Sequence, residues 1–282
     1  AGGGTDIPSF YKKNQYGCVL STAINKYIYV SVKKHSEIFK EKIRLNYSDT
    51  ENVRNIKSIK NPIIKACLKY LEIDDHIYIS TIADAPGSSG LGSSSTFCVG
   101  LLNALYSYKG KIVNRNKLAE DAAKIEIEIL KRPIGKQDHY AAAFGSINFY
   151  KFYSDDTVSI KPIDENSNYV KMIFKNLYTF YSGLNRDASK ILRAQKKNDN
   201  VQALLKIRNQ AEQLYDMINS QNFSLKKFGT FLENGWEIKK TLSSKISNKS
   251  IDSAYKLSKK IGVFGGKLSG AGGGGFINLI AQ

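Results

Sequence analysis

The segment that most restricts how this chain can fold runs through Pro86, Gly87, Ser88, Ser89, Gly90, Leu91, Gly92, Ser93, Ser94 and Ser95. Before it, His76 to Ile82 alternates Ile77 and Ile79 with Tyr78 and Ser80, the period of a strand. After it, Phe97, Leu101, Leu105 and Tyr108 recur at helical spacing until Gly110. The order is therefore strand, glycine-rich loop, helix, and a serine is the expected cap of that helix. Glycines let a backbone approach an anion and turn its N–H groups toward it, and the helix behind adds unpaired N–H groups and the positive end of its dipole. Such a loop suits phosphate; the plainer alternative is a solvated Ser/Gly turn. It is not a Walker A loop, because no Gly-Lys-Ser/Thr follows its glycines, and Gly266-Lys267-Leu268 near the end has leucine where the hydroxyl must stand. Nor is it a dinucleotide fingerprint, since three serines follow Gly90-Leu91-Gly92.

A phosphate site that handles ATP generally works with Mg²⁺ held by hard oxygens, a carboxylate and a hydroxyl among them. Ser94, near the first turn of the helix, supplies a hydroxyl. The next helix, expected from about Arg115 to Leu130 with Asn114 as its cap and Pro133 beyond its end, supplies two glutamates. Glu128 stands four residues after Lys124 and four before Arg132, an ion-pair ladder in solvent. Glu126 lines up with Ala122 and Leu130 on an otherwise apolar face, where a carboxylate needs a partner and a metal ion is a suitable one. A glutamate at the edge of that face is the alternative. Asp138 follows Gly135, Lys136 and Gln137 and precedes a short helical stretch through Ala141, Ala142 and Ala143 that ends at Gly145. It reads either as a helix N-cap or as a carboxylate beside Lys136 and the loop that takes or orients a hydroxyl proton for in-line attack on a γ-phosphate. His35, His76 and His139 have no ligand spacing and no partnered cluster, so each is expected to be structural or solvated. The run Gly270 to Gly275 exceeds the need of a turn into the last strand and suits a second backbone approach to substrate.

At 282 residues the chain has room for two domains of roughly 150 each. With 42% hydrophobic and 24% charged residues it is globular rather than disordered, collagenous or fibrous. Periodicity gives strands between Gly17 and Val32, a helix over Pro62 to Leu71, and a hairpin of Ser146 to Tyr153 and Thr157 to Ile163 around Asp155-Asp156, which closes a first domain, residues 1–165. In the second, residues 166–282, a strand pair is expected near Val170 to Tyr181. Helices over Arg186 to Lys197, Val201 to Ser220, Leu225 to Leu242 and Ile251 to Ile261 follow, then a last strand at Phe276 to Ile280. The three cysteines, Cys18, Cys67 and Cys98, are far apart with no C-x-x-C pair, which argues against a disulfide framework or zinc knuckle and fits a reducing compartment. No run approaches the roughly 18 to 20 apolar residues of a membrane span, and no charged-then-apolar leader opens the chain, so a cytoplasmic protein is expected. Glycines with no element before them, and an ending on a strand, lead us to expect natural sequence beyond both termini. The net charge of +17 is compatible with nucleic acid, an anionic membrane or a phosphorylated substrate. Few arginines, abundant Lys, Asn and Ile, and lysines spread along the chain fit a compositional origin instead.

Pro86 to Ser94 resembles the second motif of the GHMP kinases, the superfamily of galactokinase, homoserine kinase, mevalonate kinase and phosphomevalonate kinase. Lys267 to Phe276 resembles the third motif, and Gly2-Gly3-Gly4-Thr5-Asp6 the tail of the first, all in the family's order. Gly2 to Ser9, Ile134 to Ala143 and Gly183 to Ser189 are similar to its sugar-phosphate branch. The resemblance implies an α+β fold, an N-terminal domain like ribosomal protein S5 domain 2 and a C-terminal ferredoxin-like domain with added helices. It implies ATP and Mg²⁺, and transfer to the anomeric hydroxyl of a sugar phosphate, D-glycero-D-manno-heptose 7-phosphate, giving the 1,7-bisphosphate in GDP-heptose biosynthesis. It further implies that Pro86 to Ser95 bind the nucleotide, that Ser94 and Glu126 hold the metal, and that Asp138 is catalytic, although Gln137 replaces the methionine of the galactokinase motif. Asp6, with Gly3, Gly4 and Thr5 beside it, would meet sugar hydroxyls, and the backbone of Gly270, Ala271, Gly272 and Gly273 would face the substrate. The strand with a basic residue that members carry before the first glycines, and the helix and strand they carry after the third motif, are not in this sequence.

Lys136, Arg186 and Lys190 favour an acceptor that already carries phosphate over a neutral sugar such as fucose or galactose. A basic S5-like RNA-binding protein is the rival from another class. It gives no reason for Glu126 and Asp138 to stand beside a phosphate loop, where they would repel RNA. The expected partners are thus the sugar phosphate and ATP, with no nucleic acid and no membrane, for a monomer or homodimer.

Overall fold

The computed structural model describes residues 1–87, 89–184, 188–197, 200–221 and 223–282. The first part contains α1 (Pro8–Tyr11), β1 (Tyr16–Thr22), β2 (Ile28–Lys34), β3 (Ile43–Asn46), β4 (Thr50–Val53), α2 (Pro62–Tyr70), β5 (Ile77–Ala83), α3 (Ser93–Tyr108), α4 (Arg115–Ala123), α5 (Gln137–Phe144), β6 (Ile147–Tyr153) and β7 (Val158–Pro162). The second contains α6 (Asn168–Lys175), β8 (Leu177–Tyr181), α7 (Ala188–Lys197), α8 (Val201–Asn219), α9 (Leu225–Lys240), α10 (Lys249–Lys260), β9 (Gly265–Leu268) and β10 (Phe276–Ile280). The class is α+β, as the sequence leads one to expect.

A four-stranded sheet, β2-β5-β3-β4, lies under α2 and α3. Its β5 buries Ile77 and Ile79 and leaves Tyr78 and Ser80 half-buried, so the two-residue period seen in the sequence is the division between core and surface. Asn61 accepts the N–H groups of Ile63 and Ile64, Pro62 occupies the first turn of α2, and Ile64, Cys67 and Leu68 then fall on the core face. Each such Leu or Ile contributes about 1.5–3 kcal/mol by leaving water. A second sheet, β1-β6-β7, is antiparallel throughout. Its Cys18, Leu20, Ile147 and Phe149 pack with Leu214 and Ile218 of α8 and Phe228 of α9, so one core joins residues on both sides of position 165. The third sheet, β8-β10-β9, backs a core of Trp236, Ile246, Ile251, Leu268 and Ile277. Cys18, Cys67 and Cys98 are buried free thiols. Among the described residues no helix is long and apolar enough to cross a membrane.

Four local expectations change. The strand pair near Val170 to Tyr181 is helix α6 followed by the single strand β8. Ser167 accepts the Val170 N–H, and the buried pair Val170 and Ile173 is one helical turn apart, so a capped amphipathic turn prevails in a segment whose apolar residues also suit a strand. Strand β9 was hidden by its glycines, having only Leu268 as an apolar signal after them. Asn114 does cap α4, but regular bonding stops at Ala123 and Lys124–Ile129 continues as a wide π-helical turn. Helix α3 has no serine cap: Gly92, at φ +72°, ends the loop and no side chain caps the first turn.

Candidate active site

Gly92 shapes the site twice. Its left-handed conformation, which an L side chain adopts at a cost of about 1–2 kcal/mol, turns the chain so that α3 opens with side-chain-free N–H groups. A Cβ there would also lie 3.0 Å from Cγ of Asp138, so the carboxylate of α5's first turn lies against the loop that leads into α3. Asp138 is exposed, and it is not the cap residue of α5, which is Lys136. The loop itself is braced from within by buried Ser89, whose Oγ donates to Pro86 O at 2.8 Å. Ser88 lies outside the described residues, as does Arg186.

Ser94 donates to Glu126 Oε1 at 2.5 Å. Glu126, on the π-helical turn, is 0% exposed, and there His139 Nε2 lies 3.0 Å from Oε2 and the Arg132 guanidinium reaches both Oε1 and Ser94 Oγ. Burial alone would raise the Glu126 carboxyl. The His139 hydrogen bond and charge, the Ser94 hydroxyl and Arg132 outweigh it and hold the carboxyl at about 2, ionised. Arg132 therefore pairs with Glu126 rather than with Glu128 as the helical ladder implied, because the chain has left the helix by Leu130. His139, expected to be structural or solvated, is buried at the centre of this cluster. It follows Asp138 by one residue, and successive residues on a helix point about 100° apart, so one faces the loop and the other the core.

Among the described residues no group of three or more His, Cys, Asp and Glu is placed to hold a metal. What the site presents is one hydroxyl and one ionised carboxylate with their oxygens adjacent and a guanidinium resting on both. That donor set fits Mg²⁺, which takes one or two protein oxygens and completes its octahedron with phosphate oxygens and water.

The first motif braces this frame. Thr5 is fully buried and its Oγ1 bonds Gly2 O, Cys18 O and Cys18 N, so its hydroxyl is occupied in tying the motif to β1. Asp6, 1% exposed, accepts the Gly4 N–H at 2.9 Å and the Gln137 N–H at 3.0 Å, which links the motif to the residue just before Asp138. Burial raises its carboxyl above the ordinary value despite those bonds. Gly3 lies against the Gln137 side chain and Gly4 against that of Gln195. Lys136 extends to Asp156 at 3.1 Å and over the Tyr11 ring, on the side of the β6–β7 turn.

The third motif comes to the same place from the other end of the chain. A Cβ on Gly275, at φ +94°, would fall 1.9 Å from Ser89 O, so only glycine permits this run to touch the loop. Gly270 O accepts from Lys239, Ala271 and Gly272 are buried, and Gly273 N donates to Ile246 O. The structure thus brings together the loop, Ser94, Glu126 and Asp138, which the sequence singles out, and adds Arg132 and His139, for which no linear spacing gives a signal.

The model of the GHMP kinases N terminal domain matches residues 59–146, and that of the GHMP kinases C terminal matches residues 201–282. A D-glycero-alpha-D-manno-heptose 7-phosphate kinase of Campylobacter jejuni is 30% identical over 98% of this chain and 85% of its own length. Among solved structures, a D-glycero-D-manno-heptose 1-phosphate kinase from Bacteroides thetaiotaomicron superposes with a TM-score of 0.78 at 24% identity, covering 100% of this chain and 85% of that one. A Streptococcus pneumoniae phosphomevalonate kinase does so with 0.73 at 16% identity, covering 95% and 86%.

Proposed function

The chain belongs to the GHMP kinase family, and from that premise we propose that it transfers the γ-phosphoryl group of ATP to the anomeric hydroxyl of D-glycero-D-manno-heptose 7-phosphate, giving the 1,7-bisphosphate. The observation that carries the reading is the Ser94–Glu126 oxygen pair at 2.5 Å, with Asp138 against the same loop at Gly92. The similarity to the Campylobacter jejuni heptose kinase supports the acceptor.

The chain's own residues have separable tasks. The N–H groups of the loop and of α3's first turn hold phosphate oxygens and stabilise the charge that moves during transfer. Ser94 Oγ and Glu126 Oε1 would hold Mg²⁺, and Arg132 has to release them for a cation to bind there. When bound, Mg²⁺ neutralises charge on the β- and γ-phosphates. Asp138 accepts or orients the proton of the attacking hydroxyl. Asp6 and Gln137 fix the loop from which Asp138 projects, and alignment is where much of the rate arises. ATP as substrate and buried free thiols suit the cytoplasm.

The test is phosphorus NMR of the protein with ATP, Mg²⁺ and each of D-glycero-D-manno-heptose 7-phosphate, sedoheptulose 7-phosphate, mannose 6-phosphate, fucose and galactose. A new anomeric phosphate with the manno-heptose is the expected result. Turnover confined to an unphosphorylated sugar would replace the acceptor and keep the kinase.

A further inference from the structure

A cavity of about 330 Å³ opens beside the site, between α1, the segment Lys131 to Ile134, and helices α7 and α8. Its volume lies at the lower end of the roughly 300–1,000 Å³ of small-molecule sites. The wall is mostly apolar, with Phe10 and Leu204 among its residues, and it is shared with the site through Gly4 and Arg132. Among the described residues, three cations line it, Lys13, Lys131 and Arg132, and no carboxylate does. Arg132 is engaged by Glu126. Among the described residues, Lys13 and Lys131 have no acidic partner, and Lys131 is held at φ +53°, a backbone conformation uncommon for a residue with a side chain.

A second observation points to a ligand. Gln195 lines the cavity, is 7% exposed, and its Oε1 has no hydrogen-bond partner among the described residues. A buried amide oxygen left unpaired is destabilising, and a ligand hydroxyl would remove that cost. Its amide nitrogen lies over Gly4 of the first motif, so the unpaired group sits within a side chain's reach of the frame that holds Asp138.

We propose that this cavity receives the acceptor, with Lys13 and Lys131 binding the phosphate it already carries and Gln195 Oε1 accepting a sugar hydroxyl. The proposal rests on the kinase reading above, and it names the groups that separate a sugar phosphate from a neutral sugar. The apolar wall takes the C–H face of the sugar, the two lysines take the dianion at the rim, and Arg132 marks the end nearer the transferred group. Two ammonium groups with no acidic partner among the described residues favour a phosphomonoester over a hydroxyl by charge-assisted hydrogen bonding.

The experiment compares wild type with Lys13→Gln/Lys131→Gln, with Gln195→Leu, and with Lys40→Gln as a control for loss of charge outside the cavity. The double variant should raise KM for D-glycero-D-manno-heptose 7-phosphate at least about tenfold, equivalent to 1.4 kcal/mol, with KM for ATP and Tm unchanged. Lys40→Gln should leave both KM values unchanged. An unchanged acceptor KM overturns the subsite while leaving the kinase reading intact, and a raised KM for ATP alone assigns the lysines to the nucleotide instead. Calorimetric titration with mannose 6-phosphate and with mannose, without ATP, tests the subsite even if no sugar phosphate is turned over. Binding that requires the phosphate, is lost in the double variant and is weakened by Gln195→Leu supports it. Equal binding of the two sugars, binding of neither, or a response indifferent to the variants overturns it.

Discussion

Glu126 is a buried charge held by three neighbours, and this couples the stability of the site to pH. Its carboxyl lies at about 2 in the folded chain against an ordinary 4.5, a depressed value, so its contribution is complete above about 4.5 and disappears as pH falls toward 2. Glu126→Gln removes the charge but keeps the volume. It should cost about 3 kcal/mol at pH 7, since it strands the Arg132 and His139 partners. In urea titrations the gap between wild type and variant should close between pH 5 and 2; a constant gap would mean that Glu126 is held by packing rather than charge. Asp138 behaves differently because it is exposed. Asp138→Asn should lower kcat at least roughly a hundredfold, the lower range for a general base, with nucleotide affinity little changed in fluorescence titrations; a near-normal kcat would remove it from the mechanism.

At the scale of elements, the junction of the loop with α3 decides where the Asp138 carboxylate stands. Gly92→Ala would force a side chain into φ +72° and within 3.0 Å of the Asp138 carboxyl carbon. The backbone cost is about 1–2 kcal/mol, which calorimetry should show as a modest drop in Tm. A fall in kcat well beyond that drop would show that Gly92 is there to make room for Asp138. Strand β5, the loop and α3 were legible because alternation, glycines and helical spacing are local signals. The π-helical turn was not, because it replaces i→i−4 bonds by longer ones without changing residue types. Helix α6 was misread because Val170, Met172 and Phe174 alternate like a strand, and only the Ser167 cap and tertiary burial of Val170 and Ile173 decide for the helix.

Over the whole molecule the second sheet binds the two parts together. Leu214 of α8, 1% exposed, packs in one core with Cys18, Leu20 and Phe149 of β1 and β6. Leu214→Ala should cost about 2–5 kcal/mol. Because the core is shared, fluorescence of Trp236 in the second part and thiol labelling of Cys67 and Cys98 in the first should report one coincident transition in urea. Separated midpoints would show that the parts unfold independently.

The sequence by itself determined the α+β class, the glycine-rich loop between strand and helix, and Ser94, Glu126 and Asp138 as residues whose chemistry fits phosphoryl transfer, because each rests on residue type and short-range spacing. Tertiary structure decided what surrounds them. Arg132 and His139 meet at Glu126, Gly275 touches Ser89 across most of the chain, and Gln195 faces a cavity with Lys13 and Lys131. Those juxtapositions follow from packing between distant segments, for which a linear pattern contains no distance.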